Sequence, residues 1–196
     1  FPKKGYKINL TTDQSGVTEL NKMSLFGMRE DDDWILLALY NDDTKIRDRL
    51  SMEVWDRFGA EAVSEKGYYG PKMTYVEVFA DNRYCGLYGL MEPVDAKQMD
   101  LQEMDYSYKR KNPGGLNYQY LTFSEEKNPY REVEGFEIKE GMMTETAWQP
   151  MADLCAWLTL SDEEFLEQQW ELVDVDSALR LWLFIQMITG HDHTAK

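Results

Sequence analysis

The chain is poor in several residues whose scarcity narrows its class. It has two cysteines and two histidines in 196 residues. Cys85 and Cys155 lie far apart, which excludes a disulfide-dense miniprotein. Two buried free thiols are the expectation, and they assign no redox compartment. With six prolines and 13 glycines it is no collagen-like rod, and 43% hydrophobic residues are too many for a disordered tail. Basic residues are also scarce: 21 Lys and Arg stand against 36 Asp and Glu, a net charge of −15. That excludes whole-surface binding to nucleic acid or anionic lipid and leaves room for a local basic pocket. No run approaches the roughly 20 apolar residues of a membrane span, and no charged-then-apolar leader opens the chain. The sequence begins at Phe1 and stops at Lys196 just after a motif-like segment. It therefore reads as a fragment at both ends, and missing targeting signals exclude nothing. The length suits one domain or two small lobes sharing a core.

Periodicity supplies the elements. Lys4, Tyr6, Ile8 and Leu10 alternate with polar neighbours, the pattern of a strand with one apolar face. Lys4 is the odd member: either an edge lysine snorkelling outward or a lysine aimed into a cleft. Trp34 to Tyr40 is a short apolar run, a buried strand or a helical turn. Asp31-Asp32-Asp33 and Asn41-Asp42-Asp43 flank it. They lack the spacing of a calcium loop and read as solvated turns and caps. A helix is expected to start after Asp43 or Thr44, with a core stripe of Ile46, Leu50, Val54 and Phe58 and a stop at Gly59. Glu53 borders that stripe, where a surface carboxylate is the ordinary occupant.

Residues 74–91 read as a β-hairpin turning at Asp81-Asn82, with Gly86 and Gly89 marking a bulge or a close backbone approach. Glu92-Pro93 ends it, because proline cannot continue a central ladder. Residues 95–147 are the least legible part. They hold a possible strand at Gly135–Lys139 and the basic cluster Lys109-Arg110-Lys111, read as a solvated loop. Helical rhythm begins at Thr146 and involves Trp148, Met151, Leu154, Cys155 and Leu158. Ser161 and Glu164 have capping-box spacing for a second helix. Asp174 to Ser177 caps a third, Ala178 to Ile188, apolar nearly all round and so expected to be buried centrally, with Gly190 as its stop.

Asp192 follows at once, flanked by both histidines of the chain. A carboxylate in a turn after a buried helix is rigidly placed and still reaches solvent, which suits a general base or a group that positions a hydroxyl. A helix-ending polar turn explains the same residues. A metal site would need more ligands than one His-x-His supplies.

Four segments, in order, resemble the CotH spore-coat kinase family. Phe1 to Leu10 resembles the segment after that family's arginine-glycine-serine motif. Trp34 to Arg47 resembles its tryptophan-to-arginine signature. Val76 to Glu92 resembles its hairpin, with Arg83 where glycine is usual. Asp174 to Asp192 resembles its helix and catalytic loop. The resemblance implies an α+β, protein kinase-like two-lobe fold. A small antiparallel-sheet lobe with one helix (residues 1–94, helix near 44–58, hinge at 91–94) would precede a mainly helical, incomplete lobe (95–196), together one CotH-like domain. It implies an ATP-dependent protein kinase, using Mg²⁺ or Mn²⁺, that phosphorylates serines of bacterial coat or surface proteins and is located on a spore coat or cell surface. Lys4 becomes the phosphate-contacting lysine, Glu53 its helix partner, Met91, Glu92 and Val94 part of the adenine-side hinge, and Asp192 the catalytic-loop aspartate. No metal ligand is implied within the chain, since the metal-binding asparagine of such loops would fall at position 197. The rival expectation is a catalytically inactive kinase-like module for binding or assembly. The partners implied are ATP and a serine-rich protein, with no nucleic acid and no membrane span.

Overall fold

The structure is a computed structural model. It describes residues 2–13, 19–63, 70–103, 105–111, 131–133 and 135–190, without the side chains of 59–63. The chain divides into two compact units, Phe1–Gln98 and Met99–Lys196.

The first unit is built on a four-stranded antiparallel sheet, ordered β1 (Tyr6–Asn9), β4 (Asp33–Leu37), β6 (Arg83–Met91), β5 (Met73–Ala80). A ribbon of β2 (Met23–Ser24) and β3 (Glu30–Asp31) precedes β4, and helix α1 (Arg47–Val63) connects β4 to β5. The run from Trp34 is thus a strand, and it is continuously apolar because both faces of β4 are covered. Trp34, which has no exposed surface, and Leu36 pack with Tyr88, Leu90 and Met28 on one face. Ile35 and Leu37 face the other way, toward Met73, Met91 and Met52 of α1.

The expected hairpin is β5–β6. Asp81 and Asn82 both have positive φ, 49° and 61°, the geometry of a two-residue turn matched to strand twist. Arg83 is already the first residue of β6, so Asn82, not Arg83, occupies the turn position that glycine would serve. The register shifts beside Val78, leaving Cys85 unpaired next to Gly86 at φ 104°. Gly89 is a close approach: a Cβ there would lie 2.4 Å from the Met73 sulfur.

Several expectations for this unit are corrected. Asp31 and Asp32 are not solvated: they are 0% and 5% exposed, because cations described below neutralise Asp31. Helix α1 starts three residues later than expected. Asp42 organises its entry, accepting from the Thr44 hydroxyl at 2.6 Å and the Arg47 amide at 2.9 Å. Ile46 and Leu50 are both 54% exposed. A four-residue repeat drifts around a helix of 3.6 residues per turn, and here Met52 supplies the contact to the sheet. Gly59 lies inside α1, not at its end. Cys85 is exposed, on the bulge, whereas Cys155 is buried.

The second unit holds the strand expected near 135–139 within a small sheet, ahead of its helices. It contains a three-stranded sheet ordered β7 (Ser107–Arg110), β9 (Phe136–Glu140), β8 (Glu132–Val133), followed by α2 (Gln149–Trp157), α3 (Asp162–Leu172) and α4 (Val175–Met187). The core joins Val133 and Ile138 of the sheet to Ala147, Trp148 and Met151. The basic cluster lies on and just after β7, and Lys111 pairs with Glu132 and with Glu137 at 3.6 Å. Lys111, just past β7, finds its acids on β8 and β9, which a reading of the cluster alone could not supply. The capping box at α3 is present, with the Glu164 amide donating to Ser161 Oγ and the Glu164 carboxylate accepting from the Ser161 amide. Asp174 caps α4 by accepting from the Ser177 amide at 3.0 Å.

Helix α4 is not centrally buried. Phe184 is its buried residue, while Leu179, Leu181, Trp182, Leu183 and Met187 are each about half exposed. An all-apolar sequence signals a need for cover, and among the described residues that cover reaches one face. Its C-terminus closes with Thr189 at φ 56° and the Gly190 amide donating to Ile185 O at 2.9 Å. Thr189, not Gly190, takes the left-handed position of that motif. Among the described residues no helix is long and apolar enough to cross a membrane.

Candidate functional site

The residues leading into β1 run beside the end of β4. Gly5 permits this: a Cβ there would lie 3.0 Å from Leu36 O. The resulting cleft, of about 670 Å³, is bounded by Lys3, Lys4 and Gly5 on one side, the end of β4 beneath, and Arg47 and Asp48 of α1 on the other. Lys4 is exposed and makes no hydrogen bond or ion pair among the described residues.

Lys3 is held differently. Its ammonium lies over the Tyr88 ring, 3.9 Å from the centroid, and donates to Leu87 O. A Cβ on Gly86 would sit 3.6 Å from that nitrogen. Burial, then repulsion from Lys45, pulls the Lys3 pKa down. Lys45 itself donates to Leu39 O at 2.7 Å. Asp42 lies at the same end but is already engaged. The Thr44 hydroxyl, followed by the Arg47 amide, pulls its carboxyl down to about 2. Lys3, Lys4 and Arg47 share the cleft with Asp42 and Asp48, and the Arg47 guanidinium lies 3.6 Å from the Asp42 carboxylate, so the two ammonium groups, with Lys45 nearby, carry its positive charge. That charge attracts a polyanion.

Glu53 lies elsewhere. Its carboxylate pairs with Arg49 one turn earlier on α1, at 2.8 Å, and Arg49 lies over the Tyr75 ring. Glu53 lines a second cavity of about 300 Å³ with Met52, Met73 and Asp56. Lys4 and Glu53 therefore line different cavities.

Met91 ends β6 and Glu92 follows it, both in the interior at 7% and 3% exposed, whereas Val94 is 56% exposed. Glu92 anchors two segments: one oxygen accepts from the Arg29 amide at 2.7 Å, the other from the Lys72 amide at 2.8 Å. Asp192 and its flanking histidines lie outside the described residues.

Sequence reasoning missed an ionic hub beside Glu92. Arg29 donates to Asp31 at 2.9 Å, Asp95 at 2.9 and 3.0 Å, Gln98 at 3.1 Å and Pro93 O at 3.2 Å. Lys97 pairs with Asp31 and lies 3.7 Å from Asp32. Burial pushes the Asp31 carboxyl up, but Lys97, the Asp33 amide and Arg29 together hold it below the usual carboxylate range. Its hydrogen bond to Asp31 raises the Lys97 pKa in turn. The one sequence signal was Arg29, two residues before Asp31 in alternating register; the other partners are more than sixty residues away.

Among the described residues no group of three or more His, Cys, Asp or Glu is placed to hold a metal ion. No curated protein matches the chain. The family model described as CotH kinase protein matches residues 1–195, essentially the whole length, so the chain belongs to the CotH kinase family.

Proposed function

We propose that this CotH kinase family member binds ATP at the cleft between Lys4 and Arg47 and transfers its γ-phosphate to a serine of a protein substrate. The observation that carries the reading is the convergence of Lys3, Lys4 and Arg47 on one cleft of a chain with net charge −15. Two ammonium groups, with a guanidinium that Asp42 shares at 3.6 Å, are a donor set that fits a polyphosphate. Phosphoryl transfer depends mainly on positioning and charge neutralisation, which such groups supply.

Lys4, exposed and without a hydrogen bond or ion pair among the described residues, contacts phosphate. Lys3, seated on Tyr88, adds to the field at the same cleft. The backbone from Met91 to Val94 contacts adenine, with Glu92 holding that segment through the Arg29 and Lys72 amides. Asp192 orients the serine hydroxyl and accepts its proton. The serine oxygen bonds to the γ-phosphorus as the bond to the bridging oxygen breaks, and ADP leaves with the electron pair. Mg²⁺ or Mn²⁺, when bound, would supply neutralisation of the phosphate charge. The substrates, on the family resemblance, are serine-rich proteins of a bacterial spore coat or cell surface.

One observation favours the rival reading, an inactive kinase-like binding module. Glu53 is engaged by Arg49 and lines a different cavity from Lys4. For Glu53 to partner Lys4, Arg49 must release it. Calorimetric titration of the full-length protein with ATP and Mg²⁺ tests the proposal. Binding weakened about tenfold or more by Lys4→Ala, as for loss of a charge-assisted contact, is expected. Absence of ATP binding by the wild type overturns the reading.

A further inference from the structure

We propose that Arg29 is a positioning residue that fixes the backbone leaving β6, and through it the seat of the adenine base. The inference rests on the nucleotide-contacting role proposed above for Met91–Val94. Residues 92–98 follow the last strand of the main sheet and belong to no helix or strand. Pro93 has no amide hydrogen to give a ladder. Beyond the Glu92 amide, which donates to Lys72 O at 3.1 Å, the segment is held by side-chain hydrogen bonds.

Arg29 supplies several of them. Its guanidinium contacts Pro93 O, both Asp95 oxygens and Gln98 Oε1, and it is itself oriented by Asp31. Asp31 has no exposed side-chain surface and is also bound by Lys97, a second link from the β3–β4 corner to the same segment. The Gln98 amide donates to Asp95 at 3.0 Å, closing a turn within it. One planar fork thus spans acceptors on three residues of the segment. A lysine ammonium keeps the charge but has no planar fork with which to reproduce that arrangement.

The test compares wild type with Arg29→Lys, and with Asp95→Asn as a second variant that keeps side-chain shape. Hydrogen exchange at amides 94–98 reads the latch directly. Affinities for ATP and for inorganic tripolyphosphate, each with Mg²⁺, read its consequence, because tripolyphosphate lacks the base. Exchange should accelerate about tenfold at these amides in either folded variant. ATP affinity should fall about fivefold to tenfold while tripolyphosphate affinity stays within about twofold. A merely structural role would lower both affinities together, and that result overturns the proposal. Unchanged exchange overturns the latch itself. Wild type that binds tripolyphosphate and ATP equally well refutes the adenine contact, and with it the nucleotide half of the inference. Exchange still decides the latch in that case, so the two failures are distinguishable.

Discussion

Replacing Asp31 by Asn should destabilise the first unit substantially, although the change preserves volume. The Asp31 side chain is fully buried and accepts from Lys97, Arg29 and the amides of Asp32 and Asp33. Removing one partner of a buried ion pair costs about 3–5 kcal/mol because the surviving charge is left uncompensated. Here the survivors have partial relief. Lys97 is 46% exposed and can hydrate, and Arg29 keeps Asp95. The lower end, about 3 kcal/mol, is therefore expected. Urea unfolding followed by the fluorescence of buried Trp34 should show it as a midpoint lowered by about 1–3 M. The pH dependence gives a second reading. The folded pKa of Asp31 is depressed, so its contribution is fully present above the unfolded value of about 3.9 and disappears as pH falls through the folded pKa. The gap between wild type and variant should be wide near neutrality and narrow below about pH 4. A loss under about 1 kcal/mol, typical of an exposed pair, would refute the argument. So would a gap that does not change with pH.

Other positions give independent checks. Gly86→Val should destabilise the hairpin by about 1–3 kcal/mol, since φ of 104° is closed to a β-branched residue, while Gly86→Asn should cost less; thermal unfolding separates them. Ser161→Ala should cost about 1 kcal/mol by removing the cap of α3, seen as faster hydrogen exchange in its first turn with the strands of the same unit unchanged. A thiol reagent should modify Cys85 at once and Cys155 only on unfolding, because Cys155 is buried and burial raises its pKa; mass mapping of the first adduct decides.

Sequence patterns located most local structure because the deciding forces are local. The β5–β6 hairpin, the Asp174 cap and the Ser161 capping box each depend on residues a few positions apart. Burial depends on distant partners and was less legible. Asp31 reads as a solvated acid until Arg29, Lys97 and Asp95 are known to meet around it. Helix α4 reads as a core helix because composition cannot say which faces receive cover. At the site, strand alternation singled out Lys4, whereas Lys3, just before β1, swings onto Tyr88 in the room left by Gly86. Glu53 was legible as a helix carboxylate but not as the partner of Arg49, which sits one turn back on the same helix.

The central claim is phosphate transfer, and the most direct measurement is incorporation of γ-labelled phosphate into a serine-rich acceptor protein by the full-length protein with Mg²⁺ or Mn²⁺. The account predicts incorporation by the wild type. It also predicts a loss of about a hundredfold or more in Asp192→Asn, with matched circular dichroism, because that variant keeps the volume of the side chain and loses its charge and proton affinity. Equal incorporation by the variant would remove Asp192 from the mechanism, and a folded wild type that binds ATP but transfers no phosphate would contradict the account.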